Sequence, residues 1–292
     1  MKCPVCGNSA QGSLRREPAP GAAPGYGIYG CSNCLSSFAD PMSPAEAGSY
    51  AGSEFYGWRD EFDWFLADVG TGGGERLLEI GCGEGALLRR VRGFEACGVD
   101  FNESAVARGR ASGLDLYAAA AEEFLRGRGG FSVIAAFHVL EHAPDPPGLL
   151  GLARDALNEN GRLFLSVPNP ERVMFAEELR EDWDKPPHHL VRFSERGLRL
   201  LLERCGFEPE KTRRVPWRLG YSAGRLAGYL DYRAWTWLGL KPASWSRPFR
   251  NLFRLVMLVP VFLGAPVRTA GAFFRGGQSL YVSARKAKGG AA

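Results

Sequence analysis

From Arg76 to about Trp217, short apolar runs alternate with longer segments that have a helical period. In chain order these segments are RLLEI, GALLRRVRG, ACGVDF, ESAVARGRAS, DLYAAA, FSVIAAF, PPGLLGLARDAL, GRLFLSVP and ERGLRLLLERCGF. Strands that alternate with helices along a chain are typical of a parallel, doubly wound sheet. The pattern of apolar and polar positions therefore predicts an α/β domain over residues 76–217.

The segments on either side of this domain have different patterns. Residues 1–40 show little periodicity, and residues 41–75 form a polar, aromatic-dotted lead-in that predicts one helix, Trp58–Val69. Residues 218–277 are rich in Trp, Phe, Leu, Arg, Gly and Pro and predict a helical insertion. QSLYVSARK, at the start of residues 278–292, predicts a final strand of the main domain.

Glycines mark the turn after the first apolar run. Leu77–Ile80 predicts a strand, Ala86–Val91 predicts the start of a helix, and the turn between them contains Gly81, Gly83 and Gly85. Glycine suits a turn where the backbone must bend tightly and approach a ligand. The start of a helix also offers unpaired N–H groups. The next strand ends at Asp100, 19 residues after Gly81, where a carboxylate can bind both hydroxyls of a ribose. These features predict a nucleoside pocket at the carboxyl end of the sheet.

A nicotinamide-dependent dehydrogenase would place a glycine turn and an acid in the same order. Three features disfavour it: GCGEG lacks the third glycine of GxGxxG, the loop lies well inside the chain, and Glu79 precedes the first glycine. A carboxylate beside a pyrophosphate would bring two anions together. A cofactor that carries an ammonium and a sulfonium would be favoured at the same place.

The stretch LLEIGCGEG resembles the first motif of class I S-adenosylmethionine-dependent methyltransferases, E-x-G-x-G-x-G. FSVIAAFHVLEHAPDP is similar to the fourth motif of that family, and the resemblance continues through GRLFLSVPNP and PPHHLVRFSERGLRLLLERCGF, so that it covers roughly residues 50–217. It implies a Rossmann-like, doubly wound α/β sheet of seven strands whose last strand is antiparallel. It also implies S-adenosylmethionine as the cofactor.

The resemblance also implies roles for single residues. The methionine moiety of the cofactor would contact Glu79, Gly81, Cys82, Gly83 and Gly85, and Phe137 and His138 would close the cavity at the methionine end. The ribose hydroxyls would bind Asp100. The adenine would contact Phe101, Ala121 and Glu122. Where many relatives have an aspartate for the adenine amino group, this chain has Ala120. Glu122 or a backbone carbonyl would have to replace that aspartate.

All four histidines lie in two short segments, HVLEH and PPHH. We expect His142 beside the transferred methyl group, where a neutral imidazole can remove a proton from the acceptor. We expect His188 or His189 to contact the acceptor, and Glu141 to orient a histidine or to bind a metal. The alternatives are that these histidines cap helices or order loops. Methyl transfer needs mainly alignment, so a base is not obligatory.

Two CxxC pairs, Cys3 with Cys6 and Cys31 with Cys34, are separated by 24 residues. Four thiolates at such a spacing predict a tetrahedral, structural Zn²⁺ in a small N-terminal knuckle. The start of the chain has no apolar run behind Lys2, so we expect a cytoplasmic protein in which a disulfide or redox role for these cysteines is the minor alternative.

Charge is distributed unevenly, although the formal net charge is only +4. Residues 211–292 have a net charge of +14, and residues 1–210 one of −10. Basic and aromatic residues around short apolar runs favour an insertion that lies on an anionic membrane surface, at the inner face of the membrane. The alternatives are a lid over the acceptor pocket and a surface that binds another polyanion. Lys2, Arg15 and Arg16 are the only cations of residues 1–40, which argues against nucleic acid as the knuckle's partner.

The leading hypothesis is therefore an enzyme that transfers a methyl group to an oxygen, nitrogen or carbon of a small-molecule or lipid-linked acceptor. One alternative is a zinc-knuckle binding or scaffold protein whose α/β domain binds the cofactor without catalysis. Another is an NAD-dependent reductase. The acceptor and the oligomeric state do not follow from the sequence.

Overall fold

The computed structural model describes residues 1–17, 25–44, 57–170, 184–216 and 278–288. The strands are β1 (Gln11–Glu17), β2 (Tyr26–Gly30), β3 (Ser37–Asp40), β4 (Arg76–Ile80), β5 (Glu95–Asp100), β6 (Asp115–Ala118), β7 (Phe131–Phe137), β8 (Leu157–Pro168), β9 (Val191–Arg192), β10 (Phe207–Val215) and β11 (Ser279–Lys286). The helices are α1 (Asp60–Val69), α2 (Glu103–Ala111), α3 (Ala121–Leu125), α4 (Pro146–Ala156) and α5 (Glu195–Arg204), with a 3-10 helix at Leu140–His142. The predicted insertion, 218–277, and residues 45–56 of the lead-in lie outside the described residues.

A seven-stranded sheet forms the centre of the molecule, in the order β10-β11-β8-β7-β4-β5-β6. The strands from β8 to β6 are parallel to their neighbours, whereas β11 runs antiparallel to both β8 and β10. Because β4, β5 and β7 are covered on both faces, almost all of their residues are buried. This sheet confirms the predicted Rossmann-like fold with an antiparallel last strand.

Helix α1 packs on one face of this sheet through aromatic contacts. Its Phe62 and Phe65 rings meet the Phe137 ring edge-on at centroid distances of 5.3 and 5.5 Å. The helix begins two residues after the start that the sequence predicted. Its buried face also carries Glu61, which is only 4% exposed. The packing of α1 thus brings a carboxylate to the end of β7.

A second sheet, in the order β1-β2-β3-β9, surrounds the cysteine pairs. The weak periodicity of residues 1–40 gave no sign of these strands. The fourth strand, Val191–Arg192, comes from a distant part of the chain, after β8, and pairs with Ser37 and Phe38 of β3. The N-terminal knuckle is therefore joined to the α/β domain by a shared sheet.

The predicted helix over Ala86–Val91 is wrong, because this segment forms a series of hydrogen-bonded turns. Arg89 N–H donates to the Gly85 carbonyl over 3.1 Å, and Val91 N–H donates to the Leu87 carbonyl over 3.3 Å. Glycines with positive φ lie on both sides, Gly85 at 77° and Gly93 at 72°. These glycines confine the turns to the short segment between them.

Among the described residues, no helix has the length and apolar character that crossing a membrane requires.

Candidate active site

A cavity of about 470 Å³ opens at the carboxyl ends of the central parallel strands. We call one side of it the strand-end wall, which consists of Glu79, Gly81, Cys82, Asp100 and Phe101. We call the other side the histidine wall, which consists of Glu141, His142, Asp184, His188 and His189. Phe137 and His138 lie on the lining between them, and Ala120, Ala121 and Glu122 extend the strand-end wall. A single cavity therefore joins most of the residues that the sequence selected.

Asp100 ends β5 and accepts hydrogen bonds from two backbone N–H groups. Gly83 N–H donates to Oδ2 and Asn102 N–H donates to Oδ1, each over 2.8 Å. Burial raises the pKa of Asp100, and the two N–H donors oppose this shift. Each carboxylate oxygen has a second lone pair, so Asp100 can still accept from a pair of vicinal hydroxyls in the cavity.

Glu79 lies on β4, one residue before the strand ends, and is 3% exposed. Its Oε2 has no hydrogen-bond partner among the described residues. Burial and then repulsion from Asp100 raise the pKa of Glu79 well above its usual value, with Arg59 acting in the opposite direction. A buried carboxyl with an unsatisfied oxygen fits a cationic ligand group, which would stabilise its ionised form.

The three glycines of the turn all have positive φ, as the turn interpretation requires. A Cβ on Gly81 would lie 2.5 Å from Val139 Cγ2, and one on Gly85 would collide with Leu114. Of the three, Gly81 lines the cavity, whereas Gly83 and Gly85 are not part of its lining. Gly83 instead anchors Asp100 through its N–H, so these glycines shape the turn more than they border the ligand space.

Phe101, Ala121 and Glu122 lie together at the outer end of the strand-end wall. The Phe101 ring is 46% exposed, and Glu122 belongs to the first turn of α3. Ala120 also lines the cavity. The role of Glu122 in place of the aspartate that binds the adenine amino group stays a prediction. Glu122 lies on the cavity lining, as this role requires.

His138 lies at the centre of a buried polar network. Its Nε2 is 2.8 Å from Glu61 Oε1 and 3.0 Å from Ser279 Oγ, and its Nδ1 is 3.2 Å from Glu141 Oε1. Burial and Arg59 lower the pKa of His138, but the two carboxylates outweigh them and raise it above the ordinary value. The carboxylates of Glu61 and Glu141 therefore favour the protonated form of His138, and the network links α1, the end of β7 and the 3-10 helix.

His142 is oriented by the backbone of the second histidine segment. Its Nδ1–H donates to the His188 carbonyl over 2.6 Å, which fixes the neutral tautomer with a lone pair on Nε2. That nitrogen lies 4.0 Å from Glu141 Oε1. Burial lowers the pKa of His142 to about 4, although the nearby Glu141 carboxylate acts in the opposite direction. The loop-ordering role and a position on the cavity lining thus coexist in this residue.

His189 contacts Asp184, with 3.2 Å between Nδ1 and Oδ1. Its ring meets that of His142 edge-on, at a centroid distance of 4.7 Å. One potential ligand atom from each of Glu141, His142 and His189 lies within 4.8 Å of the others. Burial lowers the pKa of His188. The structure thus brings together two segments that are about 40 residues apart in the sequence.

Helix capping, the alternative role for these histidines, is wrong. Asp145 caps α4 by accepting from Gly148 N–H over 3.1 Å. Ser194 caps α5 by accepting from Gly197 N–H over 2.8 Å. Short polar side chains at these positions satisfy the unpaired N–H groups at the helix starts.

Sequence reasoning missed Arg59, Glu61 and Asp184, which border or support the cavity. Glu61 could have been recognised as a charged residue four positions before Phe65, on the apolar face of α1. Asp184 lies directly before the rigid KPP segment and the histidine pair. Arg59 carries no comparable signal, because it stands at the end of a stretch without periodicity.

The four N-terminal cysteines converge as the sequence predicted. Cys3 Sγ and Cys34 Sγ are 3.7 Å apart, and Cys6 Sγ and Cys31 Sγ are 3.5 Å apart. All four sulfurs lie within 4.8 Å of one another, and none forms a disulfide. Sulfurs that bind one zinc ion at about 2.3 Å are roughly 3.8 Å apart, so the arrangement fits a tetrahedral metal site.

The knuckle and the histidine wall are connected by hydrogen bonds. Ser194 Oγ donates to the Cys34 carbonyl, and Ser194 N–H donates to Ser36 Oγ over 3.1 Å. Ala39 N–H donates to the Leu190 carbonyl, and Leu190 N–H donates to the Glu141 carbonyl, each over 2.8 Å. The segment that carries His188 and His189 is therefore fixed from both sides.

A family model described as "Methyltransferase domain" matches residues 50–212, more than half of the chain. A ubiquinone biosynthesis O-methyltransferase from Aromatoleum aromaticum is 30% identical over 146 residues, which are 45% of this chain and 62% of the relative. One of the same name from Bordetella bronchiseptica is 30% identical over 124 residues, 39% of this chain and 52% of the relative. This chain thus matches roughly half to three fifths of the length of these curated relatives.

The fold is also similar to solved structures. A SAM-dependent methyltransferase from Archaeoglobus fulgidus aligns with a TM-score of 0.52 and 19% identity over 80% of this chain and 96% of its own. A putative methyltransferase from Bacillus halodurans aligns with a TM-score of 0.52 and 15% identity over 79% of this chain and 100% of its own. At these identities the likeness concerns the fold alone.

Proposed function

Because this chain belongs to the methyltransferase family, as a class I S-adenosylmethionine-dependent member, we propose that it methylates a hydroxyl oxygen of a small-molecule acceptor bound against the histidine wall. The observation that carries the proposal is the single cavity shared by the two walls. Oxygen is favoured over nitrogen and carbon because curated relatives with 30% identity are named O-methyltransferases. Family membership also removes the ground for the NAD-dependent alternative.

The strand-end wall would hold the cofactor. S-adenosylmethionine supplies an electrophilic methyl group on a sulfonium when it is bound. Glu79 accepts the ammonium group, because its buried Oε2 has no other partner among the described residues. Asp100 accepts the ribose hydroxyls, and the guanidinium of Arg59, which also lines the cavity, faces the carboxylate. Phe101, Ala121 and Glu122 border the adenine.

The remaining residues predicted to touch the cofactor have supporting roles in this proposal. Gly81 and Cys82 leave room for the methionine backbone. Gly83 holds Asp100 in place, and Gly85 gives the turn its shape. Phe137 and His138 close the methionine end. His138 does so from within its carboxylate network, so that its ring is fixed before any ligand binds.

The histidine wall would receive the acceptor. His142 and His189 line the cavity; the His142 Nδ1–H donates to the His188 carbonyl, and His189 Nδ1 contacts Asp184. Rings held in this way can align an acceptor hydroxyl and remove its proton without reorganisation. His188 contributes its backbone carbonyl to the orientation of His142.

The cysteine cluster would bind a structural Zn²⁺ through Cys3, Cys6, Cys31 and Cys34. The sulfur distances of 3.5 and 3.7 Å support this proposal. Four protein ligands leave no open position on zinc. The ion would therefore stabilise the second sheet and, through it, the segment that carries His188 and His189.

For residues 218–277, which the structure does not describe, the proposal includes two further points. These are a lipid-linked acceptor and a peripheral position at the inner face of the membrane. Their support is the net charge of +14 over residues 211–292. Flotation with anionic liposomes at low and high salt is the test: we expect binding at low salt that weakens at high salt. Failure to float under both conditions would leave the lid interpretation.

Titration calorimetry with S-adenosylhomocysteine, followed by a methylation assay with simple phenols and catechols, tests the proposed function. We expect binding of one ligand per chain and release of S-adenosylhomocysteine with at least one hydroxylated acceptor. NADH serves as the negative probe and is expected to show no fluorescence enhancement. A wild-type protein that binds NADH but not S-adenosylhomocysteine would overturn the proposal. Binding without turnover on any acceptor would favour the scaffold alternative.

A further inference from the structure

Three side chains of the histidine wall converge in a way that cofactor binding does not explain. Glu141, His142 and His189 each bring one potential ligand atom within 4.8 Å of the other two. Glu141 is fully buried. Its Oε1 faces His138 Nδ1, whereas its Oε2 has no hydrogen-bond partner among the described residues. An unsatisfied carboxylate oxygen in a buried site is costly unless a cation or a donor joins it.

Both imidazoles are held in the manner of metal ligands. His142 Nδ1–H donates to the His188 carbonyl over 2.6 Å, and His189 Nδ1 lies 3.2 Å from Asp184 Oδ1. Histidines that bind metals characteristically donate the other ring N–H to a carbonyl or a carboxylate. The His142 ring fits this description, with Nε2 as the nitrogen nearer to Glu141, 4.0 Å from Oε1, and the His189 ring has a carboxylate in contact with its Nδ1.

We propose that Glu141, His142 and His189 bind one divalent transition-metal ion at the acceptor end of the cavity. Two imidazoles and one carboxylate suit Zn²⁺, Fe²⁺, Mn²⁺ or Co²⁺ and leave coordination positions open. Binding draws the ligand atoms together by about 1 Å, since two ligands on one such ion are roughly 3–4 Å apart. All three residues line the cavity, so the open positions face the space of the acceptor.

The role of this ion rests on the proposed function. It would bind an oxygen of the acceptor and lower the pKa of that hydroxyl, so that the proton passes to solvent and not to the two imidazoles, which hold the ion in place of acting as bases. The acceptor oxygen then forms a bond to the methyl carbon while the carbon–sulfur bond breaks and sulfur keeps the electron pair. The products are a methyl ether, S-adenosylhomocysteine and one proton. Acceptors with two adjacent oxygens, such as catechols, are favoured because they can occupy two open positions.

The cysteine cluster must be saturated before this site is measured. The full-length protein is first loaded with one equivalent of Zn²⁺, which prefers the thiolates. Mn²⁺ binding is then followed by electron paramagnetic resonance, because Mn²⁺ competes poorly for sulfur ligands. Co²⁺ and a second equivalent of Zn²⁺ are tested separately by native mass spectrometry. We expect one further ion per chain with at least one of these metals.

Variants assign the bound ion to this cluster. We expect Glu141→Gln and His189→Ala to weaken the binding of the second ion at least 10-fold, and Asp184→Asn to weaken it about 10- to 100-fold through the loss of ring orientation. His188→Ala is the matched control, because its side chain is not one of the three ligands and its carbonyl is retained. It should bind the second ion as the wild type does.

Binding of S-adenosylhomocysteine is measured on every variant and separates this proposal from the proposed function. If the wild type binds S-adenosylhomocysteine but none of the three metals beyond the cysteine site, the metal proposal is overturned. It is equally overturned if His189→Ala retains the second ion with unchanged affinity. The histidines then act as a metal-free pair, and the proposed methyl transfer stands. If the wild type does not bind S-adenosylhomocysteine, the proposed function itself is overturned.

Discussion

The strand-end wall and the histidine wall obtain their residues from very different distances along the chain. Glu79, Gly81, Cys82, Asp100 and Phe101 come from one strand–turn–strand unit of about 20 residues. The histidine wall joins the segment around Glu141 to the segment around His189, and the second segment is held by β3 of the N-terminal sheet. The first wall is therefore a local product of the central sheet, whereas the second depends on contacts between distant parts of the chain.

This difference predicts that the two walls can be damaged separately. Asp100 is fixed by N–H groups of its own unit. Glu141, His142 and His189 instead depend on Leu190, whose N–H and carbonyl bind Glu141 and Ala39. Changes in the knuckle should affect the acceptor side, and changes in β4 or β5 should affect the cofactor side.

Removal of the metal from the cysteine cluster is expected to have the largest effect. Chelation, or Cys6→Ser, should lower turnover about 100-fold, because a displacement of about 1 Å at the acceptor has consequences of this size. Affinity for S-adenosylhomocysteine should change less than about 3-fold, because Asp100 is held by N–H groups of its own strand–turn–strand unit. Turnover and calorimetry on the same samples make the comparison. Cys205→Ser is the control for loss of a thiol, and unchanged turnover after metal loss would contradict the predicted dependence.

Asp100→Ala should weaken the binding of S-adenosylhomocysteine about 100-fold or more. Two hydrogen bonds to a charged acceptor are lost, each with a contribution of about 1.5–3 kcal/mol. Asp115→Asn, at the exposed start of β6, changes an acid of the same sheet and should leave the affinity unaltered. Calorimetry distinguishes the two variants. Equal affinities would show that the ribose lies elsewhere.

Glu79→Gln should weaken the binding of S-adenosylhomocysteine about 10-fold at pH 8, since an ammonium group loses its carboxylate partner. The raised pKa of Glu79 favours its protonated form without ligand, and the ligand needs the ionised form. Wild-type affinity should therefore increase with pH through this raised pKa, and that of the variant should not. A parallel pH dependence in both proteins would exclude this role.

In the absence of ligand, Glu79→Gln should raise the stability of the fold at pH 8, whereas it lowers the affinity for S-adenosylhomocysteine. A raised native pKa contributes stability below the unfolded pKa near 4.5, and this contribution disappears as the pH rises through the native value. Glu79→Gln removes this loss, so the variant should melt at a higher temperature than the wild type at pH 8 and at a similar temperature near pH 4. Differential scanning calorimetry at both pH values checks the sign.

Gly81→Ala should act on the stability of the strand-end wall and not directly on a ligand contact. The residue has a φ of 72°, and its new Cβ would lie 2.5 Å from Val139 Cγ2. Gly74→Ala is the matched control, because φ is 100° but nothing lies within 4 Å. We expect Gly74→Ala to cost about 1–2 kcal/mol for the backbone conformation and Gly81→Ala about 1–3 kcal/mol more for the overlap. Urea unfolding measures both, and equal losses would mean that Val139 moves aside.

Much of the strand-end wall could be predicted because its signals are local. The order strand, glycine turn, strand and acid determines which residues meet at the sheet edge, as Asp100 and Gly83 do over 2.8 Å. The Ala86–Val91 helix was wrong because the apolar pattern did not show that positive-φ glycines would confine the segment. The prediction that His138 closes the methionine end gave no sign of its partners Glu61 and Ser279, which are 77 and 141 residues away. No local pattern reports contacts at such separations.

The antiparallel last strand was implied by the family resemblance. By itself the sequence determined the α/β sheet, the glycine turn with its acid and the grouping of four cysteines. Each of these depends on periodicity or spacing within a few tens of residues, where chain connectivity alone limits the geometry. The tertiary structure decided that β9 completes the N-terminal sheet, that the His188 carbonyl orients the His142 ring and that Asp184 contacts the His189 ring. Side-chain orientation across such distances depends on packing and hydrogen bonds between elements, which exist only once the chain has folded.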